Sequence, residues 1–439
     1  MMAAFVFSAM LGAIRQVLFN AQFGTGPEAN AYYAAARLPD TLFSLIAGGA
    51  LSSAMIPVLV ATWRVGGEEM GQRLVNLVLS TLLAVLSVLV LLGLIFAPSF
   101  VTYVLAPGFD APTSQLTIRL TRIMLLEPLI LAVGAVSIAA LNGRNQFLLP
   151  ALSIISHNFT IISGILIARA YPEVGIYGPT AGALFGAVLQ VLILVPGLRS
   201  RRLSYGPAWN PRDPRLREVV RLLIPNGLSV GVGYAGTILD TAYASKARDL
   251  AALPALHNAW LLAALPITLL GHAIAQSMFP RLSAHVVAGE WATMRRTLLR
   301  TTAVGIGLSI PTLVGIIVLG RPLIRVLFEH GRFDATAGGL TYTVLVAYAL
   351  GLPAYIATEM LTRGLISLRD TRTPLLTNTM QFAGRALLLM WLLPSIGVVA
   401  IPIAFAVTSM VEALLLGAVL LSKIRHRRAN NGPNPADDN

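Results

Sequence analysis

Cysteine is absent from this 439-residue sequence, and charged residues make up only 12% of it. The first absence excludes a disulfide framework and thiolate metal sites. The second separates the chain from soluble globular proteins, in which about 25% of residues are charged. The sequence also lacks a Walker A motif and a pair of histidines at metal-binding spacing. We therefore expect no P-loop ATPase, no resident metal and no cofactor.

Apolar residues make up 56% of the chain, and the mean hydropathy is +0.75. The runs at 74–96, 302–319 and 396–421 hold almost no charge over roughly the 20 residues that a bilayer-spanning helix needs. They also lack the polar face of a soluble bundle helix. The sequence therefore predicts an all-α polytopic membrane protein, whose first apolar run is a retained helix rather than a signal peptide.

Helix breakers and charges divide the chain into about twelve predicted transmembrane spans. Those of the first half are residues 1–22, 36–63, 74–97, 116–141, 149–171 and 177–198. Those of the second half are residues 219–245, 258–284, 298–319, 338–366, 374–395 and 397–422. We predict an N-terminal lobe at 1–199, a basic cytoplasmic linker at 200–218, a C-terminal lobe at 219–423 and a polar cytoplasmic tail at 424–439.

Lysine and arginine are unevenly divided between the two sides of this topology, with 21 on one side and 6 on the other. The six are Arg169, Lys246, Arg248, Arg321, Arg325 and Arg332. Because basic residues collect in cytoplasmic loops, the larger set predicts that both termini are cytoplasmic. The net charge of +13 then follows from topology, and we expect no nucleic-acid partner.

A short loop is written twice in the chain. "GFDAPTSQLT" at 108–117 and "RFDATAGGLT" at 332–341 share five of ten residues at an offset of 224. Proline landmarks keep nearly the same register: Pro57 with Pro280, Pro128 with Pro353, and Pro150 with Pro374. This repeat predicts two like-oriented six-helix lobes related by a pseudo-twofold axis along the membrane normal. Such lobes are typical of alternating-access transporters, and a repeat kept only for packing is the alternative.

Ionisable side chains within spans are costly and mark candidate functional positions. Arg15 and Arg37 come from the first two spans and would suit a pyrophosphate, which guanidinium groups bind by forked hydrogen bonds. Asp240, in span 7, is either protonated, paired with an arginine or a cation ligand.

Other charges have simpler explanations. Arg119 and Arg122 lie close enough to the membrane interface to extend their charged ends into water. Arg385 and Glu412 are placed to pair across spans 11 and 12. The stretch "AGGALSSAMIP", from Ala47 to Pro57, permits either close helix packing or a bend.

Several motifs, in order, resemble the MurJ/MviN family of lipid II flippases, within the multidrug/oligosaccharidyl-lipid/polysaccharide exporter superfamily. They are "LGAIRQVLFNAQFG", "ARLPD", "GGALSSAMIPVL", "LAPGF", "LNGRNQFLLPALSIISHN", "SIPTLVGIIVLGRPLIRVLFEHGRF" and "SLRDTRTP". The resemblance runs from about residue 4 to 425 and implies a V-shaped, two-lobed fold. Two C-terminal helices that the family usually carries have no counterpart among the twelve spans.

The resemblance also implies site residues. Two basic family positions are kept as Arg15 and Arg37, which with Asn30 and Ser52 form the expected substrate-binding set. Asp240 and Asn378 match a sodium site of some members, which implies coupling to Na⁺ or H⁺. Charged family positions are replaced here by uncharged residues at Ala9, Gln16, Asn30, Phe43, Ser44, Gly48, Leu261 and Phe382.

The resulting hypothesis is a flippase in the bacterial inner membrane that moves an undecaprenyl-pyrophosphate-linked peptidoglycan precursor to the outer leaflet. Its expected partners are that lipid, membrane lipids and cell-wall biosynthesis proteins. The replaced charges favour two alternatives: a cation-coupled exporter of small amphipathic molecules or another polysaccharide lipid, and a non-transporting envelope scaffold.

Overall fold

The computed structural model describes residues 2–46 and 49–431, and in these ranges every regular element is helical. The first helices are α1 (Met2–Phe23), α2 (Pro27–Ala35), α3 (Arg37–Ile46), α4 (Gly49–Phe100), α5 (Ala111–Met124), α6 (Glu127–Gly143), α7 (Leu148–Ala170), α8 (Tyr177–Ser200) and α9 (Pro214–Ser245). The remaining helices are α10 (Ala252–Pro266), α11 (Ala273–Ala288), α12 (Trp291–Leu327), α13 (Ala335–Leu350), α14 (Leu352–Ser367), α15 (Arg372–Ile396) and α16 (Ala400–Asn431).

Each predicted span has a helical counterpart, but several spans are broken. The 52 residues of α4 contain Gly67, whose φ of 69° and ψ of −168° interrupt the helix between spans 2 and 3. Span 10 is the pair α13 and α14, bent by 44°. Seven described helical segments are long and apolar enough to cross a membrane, or eight if this pair counts as one span. Two of the seven measure 55 and 56 residues, so each is long enough for two crossings.

Large apolar side chains are exposed along several of these helices. On α4 they include Val88, Leu91 and Ile95, and α12 exposes Leu308, Val314 and Val318 in the same way. A soluble protein rarely leaves such long apolar faces in contact with water. This exposure, together with the helix lengths, makes the chain a polytopic helical membrane protein, as the composition predicts.

The helices pack as two compact units. Unit 1 runs to Lys246 and includes His330–Phe333, and unit 2 comprises Ala247–Glu329 and Asp334–Asn439. The first core of unit 1 joins α4, α6 and α8 to Leu216 and Val219 of α9. By packing, α9 therefore belongs with the preceding helices, whereas the repeat places span 7 at the start of the C-terminal lobe. The boundary that the sequence repeat predicts between the two lobes, at residues 200–218, stays a prediction.

The predicted linker is partly helical and packs against other segments of unit 1. Tyr205 Oη is 2.5 Å from Ser137 Oγ, and the Ala208 amide donates to Ser80 Oγ at 3.1 Å. Helix α9 begins at Pro214 because Asp213 accepts a hydrogen bond from the Arg215 amide at 3.0 Å, which is the contact of an N-cap residue followed by proline.

The predicted polar tail is also partly helical, since α16 continues to Asn431. Lys423 donates to Asp370 Oδ2 at 2.5 Å. The Arg427 guanidinium lies 5.6 Å from the centre of the Trp291 ring. Within unit 2, these contacts hold the last turns of α16 against the start of α12 and the loop before α15, which the polar composition of the segment does not reveal.

The repeated loop makes equivalent contacts in its two copies. The Gly108 amide donates to Ser245 Oγ at 3.1 Å, at the end of α9. The Arg332 amide donates to the Ala21 carbonyl at 2.9 Å, near the end of α1. Both contacts lie within unit 1, and the two pairs are related by the same offset of 224 residues. The motif therefore recurs because each copy joins a loop to the end of the helix that begins a repeat.

Candidate functional site

Arg15 is half-buried on α1, within electrostatic range of acidic side chains from two other helices. These are Asp40, in the first turn of α3, and Glu127, the first residue of α6. An arginine with carboxylates nearby is stabilised inside a membrane protein, because the opposite charges offset its desolvation. Unit 1 thus holds a cluster of ionisable groups around α1.

Glu127 also contacts a histidine. His157, on α7, places Nε2 3.5 Å from Glu127 Oε1, and both side chains are largely buried. Arg15 is within electrostatic range of His157 as well. Three helices, α1, α6 and α7, therefore bring two basic side chains and one acidic side chain together.

A hydrogen-bond network fixes α1 against α2 next to Arg15. Gln16 Nε2 donates to Tyr33 Oη at 2.6 Å and to Asn20 Oδ1 at 3.1 Å. All three side chains are buried, which strengthens the bonds between them. Because Gln16 directly follows Arg15 in the chain, the network also restricts the position of the arginine backbone.

Arg37 begins α3 and reaches α9. Its Nε–H donates to Thr241 Oγ1 at 3.2 Å, and Thr241 follows Asp240 directly in the chain. A second bond joins the same helices, since Ser44 Oγ donates to Tyr234 Oη at 2.6 Å. The structure thus brings Arg37 to the helix that carries the predicted cation ligand. Asn378, the other predicted ligand, is half-buried on α15 in unit 2.

The remaining predicted substrate residues have different surroundings. Asn30 is buried, and its Nδ2 donates to the carbonyls of Thr25 at 3.2 Å and Gly26 at 3.0 Å. These bonds stabilise the turn that enters α2. Ser52 is half-buried on α4. Their contact with a substrate remains a prediction, and Gly48 of the neighbouring glycine pair lies outside the described residues.

The other charges noted in the sequence fall into two groups. Arg119 and Arg122 are exposed, as expected of side chains that extend to the membrane interface. Arg385 and Glu412 are buried in unit 2. The Arg385 guanidinium lies 4.5 Å from the centre of the Phe405 ring, and Thr377 Oγ1 donates to Glu412 Oε1 at 3.3 Å. Each of the two buried charges thus has a neighbour other than the predicted one.

Sequence reasoning did not select Glu127 and His157 for the site. The available signal was that each is an ionisable residue within an apolar stretch, but their proximity depends on how α6 and α7 pack. The resulting cluster contains a half-buried guanidinium, a group that binds phosphate oxygens through charge-assisted hydrogen bonds. Among the described residues, no group of three or more histidine, aspartate or glutamate side chains is arranged to hold a metal ion.

Comparison with known proteins gives the fold and the family. One related protein, a probable lipid II flippase MurJ of Rhizobium tropici, is 28% identical over 418 residues, covering 94% of this chain and 78% of its own length. A solved structure of lipid II flippase MurJ in an inward closed conformation matches with a TM-score of 0.80 and 25% identity, over 98% of this chain and 89% of that chain.

The fold is shared more widely. An inward-facing structure of a multidrug resistance MATE family transporter of the MOP superfamily matches with a TM-score of 0.79 and 15% identity, over 97% of this chain and 96% of that chain. The family model for lipid II flippase MurJ matches residues 19–430. Because that match covers nearly the whole sequence, this chain belongs to the MurJ family of lipid II flippases.

Proposed function

We propose that this protein is an alternating-access flippase that moves a lipid II-like, undecaprenyl-pyrophosphate-linked peptidoglycan precursor from the inner to the outer leaflet. The observation that carries the proposal is the family match over residues 19–430. The protein is a transporter, and its proposed chemistry is binding and release without a covalent step.

Arg15 and Arg37 are the proposed pyrophosphate ligands. Arg15 has Asp40 and Glu127 within electrostatic range, and Arg37 is held by a neutral hydroxyl, Thr241 Oγ1. A pyrophosphate offers each guanidinium a stronger, charge-assisted bond than a hydroxyl does. Asn30 and Ser52 are the proposed additional donors to the head group.

Coupling to Na⁺ or H⁺ is proposed for Asp240 and Asn378. The bond from Arg37 to Thr241 supports a connection between the substrate site and α9, since substrate that draws Arg37 away would free the residue next to Asp240. The proposed location is the bacterial inner membrane with both termini cytoplasmic, which the division of basic residues into 21 and 6 supports. Cell-wall biosynthesis proteins are the proposed protein partners.

The test is rescue of cell-wall synthesis in bacteria depleted of their resident flippase, with mass spectrometry of the lipids that co-purify. We expect rescue by the native chain, and loss of rescue in Arg15→Gln and Arg37→Gln. A charge-assisted hydrogen bond contributes about 1.5–3 kcal/mol, so each substitution is expected to weaken precursor binding about ten- to a hundred-fold.

Arg119→Gln is the matched control, because Arg119 is exposed and outside the cluster. Equal membrane expression of all variants is required for the comparison. Absence of rescue by the well-expressed native chain would overturn the proposal. Absence of rescue together with cation-dependent dye efflux that Asp240→Asn abolishes would identify the exporter alternative.

A further inference from the structure

A second cationic site lies within unit 1, apart from the Arg15 cluster. It is a pocket of about 510 Å³ between α1, α7 and the loop that follows α12. Its apolar walls include Leu18 of α1 and Ile165 of α7, and its polar rim includes Arg169, His330 and Arg332. This volume falls in the range of small-molecule binding pockets.

Arg169 and Arg332 are both exposed and carry the positive charge of the pocket. Among the described residues, neither Arg169 nor Arg332 has an ion-pair partner. An arginine in the last turn of a helix also complements the helix dipole, so Arg169 alone would indicate little. Arg332 comes from a separate loop, however, and lines the same pocket.

The loop holds this arrangement through its backbone. The Arg332 amide donates to the Ala21 carbonyl at 2.9 Å, and Gly331 adopts a φ of 61°. At Gly24, a Cβ would lie 2.5 Å from the Arg332 carbonyl oxygen, so only glycine permits this approach. The pocket is therefore formed by close backbone packing before any ligand arrives.

The predicted membrane topology makes it informative that two arginines line the same pocket. Arg169 and Arg332 are two of only six basic residues on the predicted outer side of the membrane. Basic residues are sparse on that side in membrane proteins. Two of the six nevertheless line one pocket whose remaining walls are largely apolar.

We propose that this pocket binds the phosphate group of an anionic membrane lipid in the outer leaflet, with the two arginines on the phosphate and the apolar wall on the adjoining lipid chain. Arginine pairs with phosphate through forked hydrogen bonds. A resident phospholipid and a polyprenyl phosphate both present a phosphate group next to an apolar chain. The proposal therefore does not require the bound lipid to be one that the protein transports.

The test is native mass spectrometry of the purified full chain titrated with phosphatidylglycerol, phosphatidylcholine or a polyprenyl phosphate. We compare the native chain with the double variant Arg169→Gln/Arg332→Gln. The matched control is Arg325→Gln, an exposed arginine of the same predicted side that does not line the pocket. Size-exclusion profiles show whether each variant is folded.

We expect the double variant to bind an anionic lipid about thirty-fold more weakly, from roughly fivefold for each basic residue, and Arg325→Gln to retain the native affinity. If the native chain binds phosphatidylglycerol more tightly than the polyprenyl phosphate, the ligand is a resident lipid. If it binds the polyprenyl phosphate more tightly, the ligand is a carrier lipid. Equal binding by the native chain and the double variant would overturn the proposal, as would equal binding of phosphatidylglycerol and zwitterionic phosphatidylcholine.

Discussion

Glycines in and around the repeated loop allow two contributions to stability to be measured separately. One is the strain of a left-handed backbone, and the other is the steric overlap of an added Cβ with a neighbouring carbonyl. Gly331 has a φ of 61°, and a Cβ there would lie well within the van der Waals contact distance of the Ala21 carbonyl oxygen. Gly289 has a φ of 72° with open space around it. Gly108 is in the opposite situation, since a Cβ would overlap the Ser245 carbonyl without a left-handed φ. Gly339, on α13, has neither constraint.

The magnitudes follow from these surroundings. Alanine in the left-handed region costs about 1–2 kcal/mol, and loss of the bond from Arg332 to Ala21 costs about 0.5–1.5 kcal/mol more. Gly331→Ala is therefore expected to lose about 1.5–3.5 kcal/mol. Gly289→Ala should lose only the backbone contribution, and Gly108→Ala about 1 kcal/mol from its bond to Ser245. Gly339→Ala should gain about 0.5–1 kcal/mol in the helix interior.

The assay is thermal unfolding of the purified variants in detergent at a single scan rate, because irreversible unfolding makes the midpoint depend on the rate. For a unit of 150–250 residues, 1 kcal/mol corresponds to about 2–4 °C. Gly331→Ala is expected to unfold on the order of 3–14 °C below the native chain. An equal midpoint for Gly331→Ala and Gly289→Ala would refute the reasoning, because contact of the loop with α1 would then contribute nothing.

Two further predictions concern the contacts at the end of α16 and the membrane topology. Burial raises the pKa of Asp370, but hydrogen bonds from Lys423 and Thr373 outweigh it and lower that pKa to about 2. The contribution of Asp370 to stability should thus be complete above about pH 4 and disappear as the pH falls towards 2. Asp370→Asn should remove about 1–2 kcal/mol at neutral pH and flatten that acid limb in a pH series of unfolding midpoints. An unchanged limb would contradict the pairing. Since the chain has no cysteine, Glu173→Cys should react with an impermeant maleimide in intact cells, and Arg212→Cys only after lysis; the reverse result would invert the topology.

The sequence predicts the transmembrane helices well because hydropathy is a local property. The apolar run at 74–97 is recognisable without knowledge of its neighbours, and α4 covers it. The offset of the repeat also anticipates a tertiary relation, since Gly108 with Ser245 and Arg332 with Ala21 are equivalent pairs. Local signals of this kind carry over to the folded chain because the bilayer imposes similar constraints on each helix.

The features that sequence reasoning missed depend on packing between distant segments. Helix α2 contains the buried residues Ala29, Ala31 and Tyr33, but at nine residues it is too short to give a span signal. The contact of Glu127 with His157 requires α6 and α7 to meet. The helical end of α16 depends on Asp370 and Trp291, which lie far away in sequence. Neither periodicity nor hydropathy contains that information.

The neighbours of Arg15 bear on how a flippase of this family can release its cargo. A guanidinium in the membrane without nearby carboxylates would hold a pyrophosphate too tightly, because release of the pyrophosphate would leave the guanidinium charge uncompensated. Here Asp40 and Glu127 are close enough to interact with Arg15 when no anion is bound. If Arg15 is the pyrophosphate ligand that we propose, binding exchanges its electrostatic interaction with these carboxylates for a bond to the lipid, and the net free energy of each step is smaller than that of either interaction alone. This exchange requires the carboxylates to be ionised when the lipid leaves. Neutralising Glu127 as Glu127→Gln should therefore retain precursor binding and slow its release, and faster transfer in vesicles by that variant would contradict the exchange.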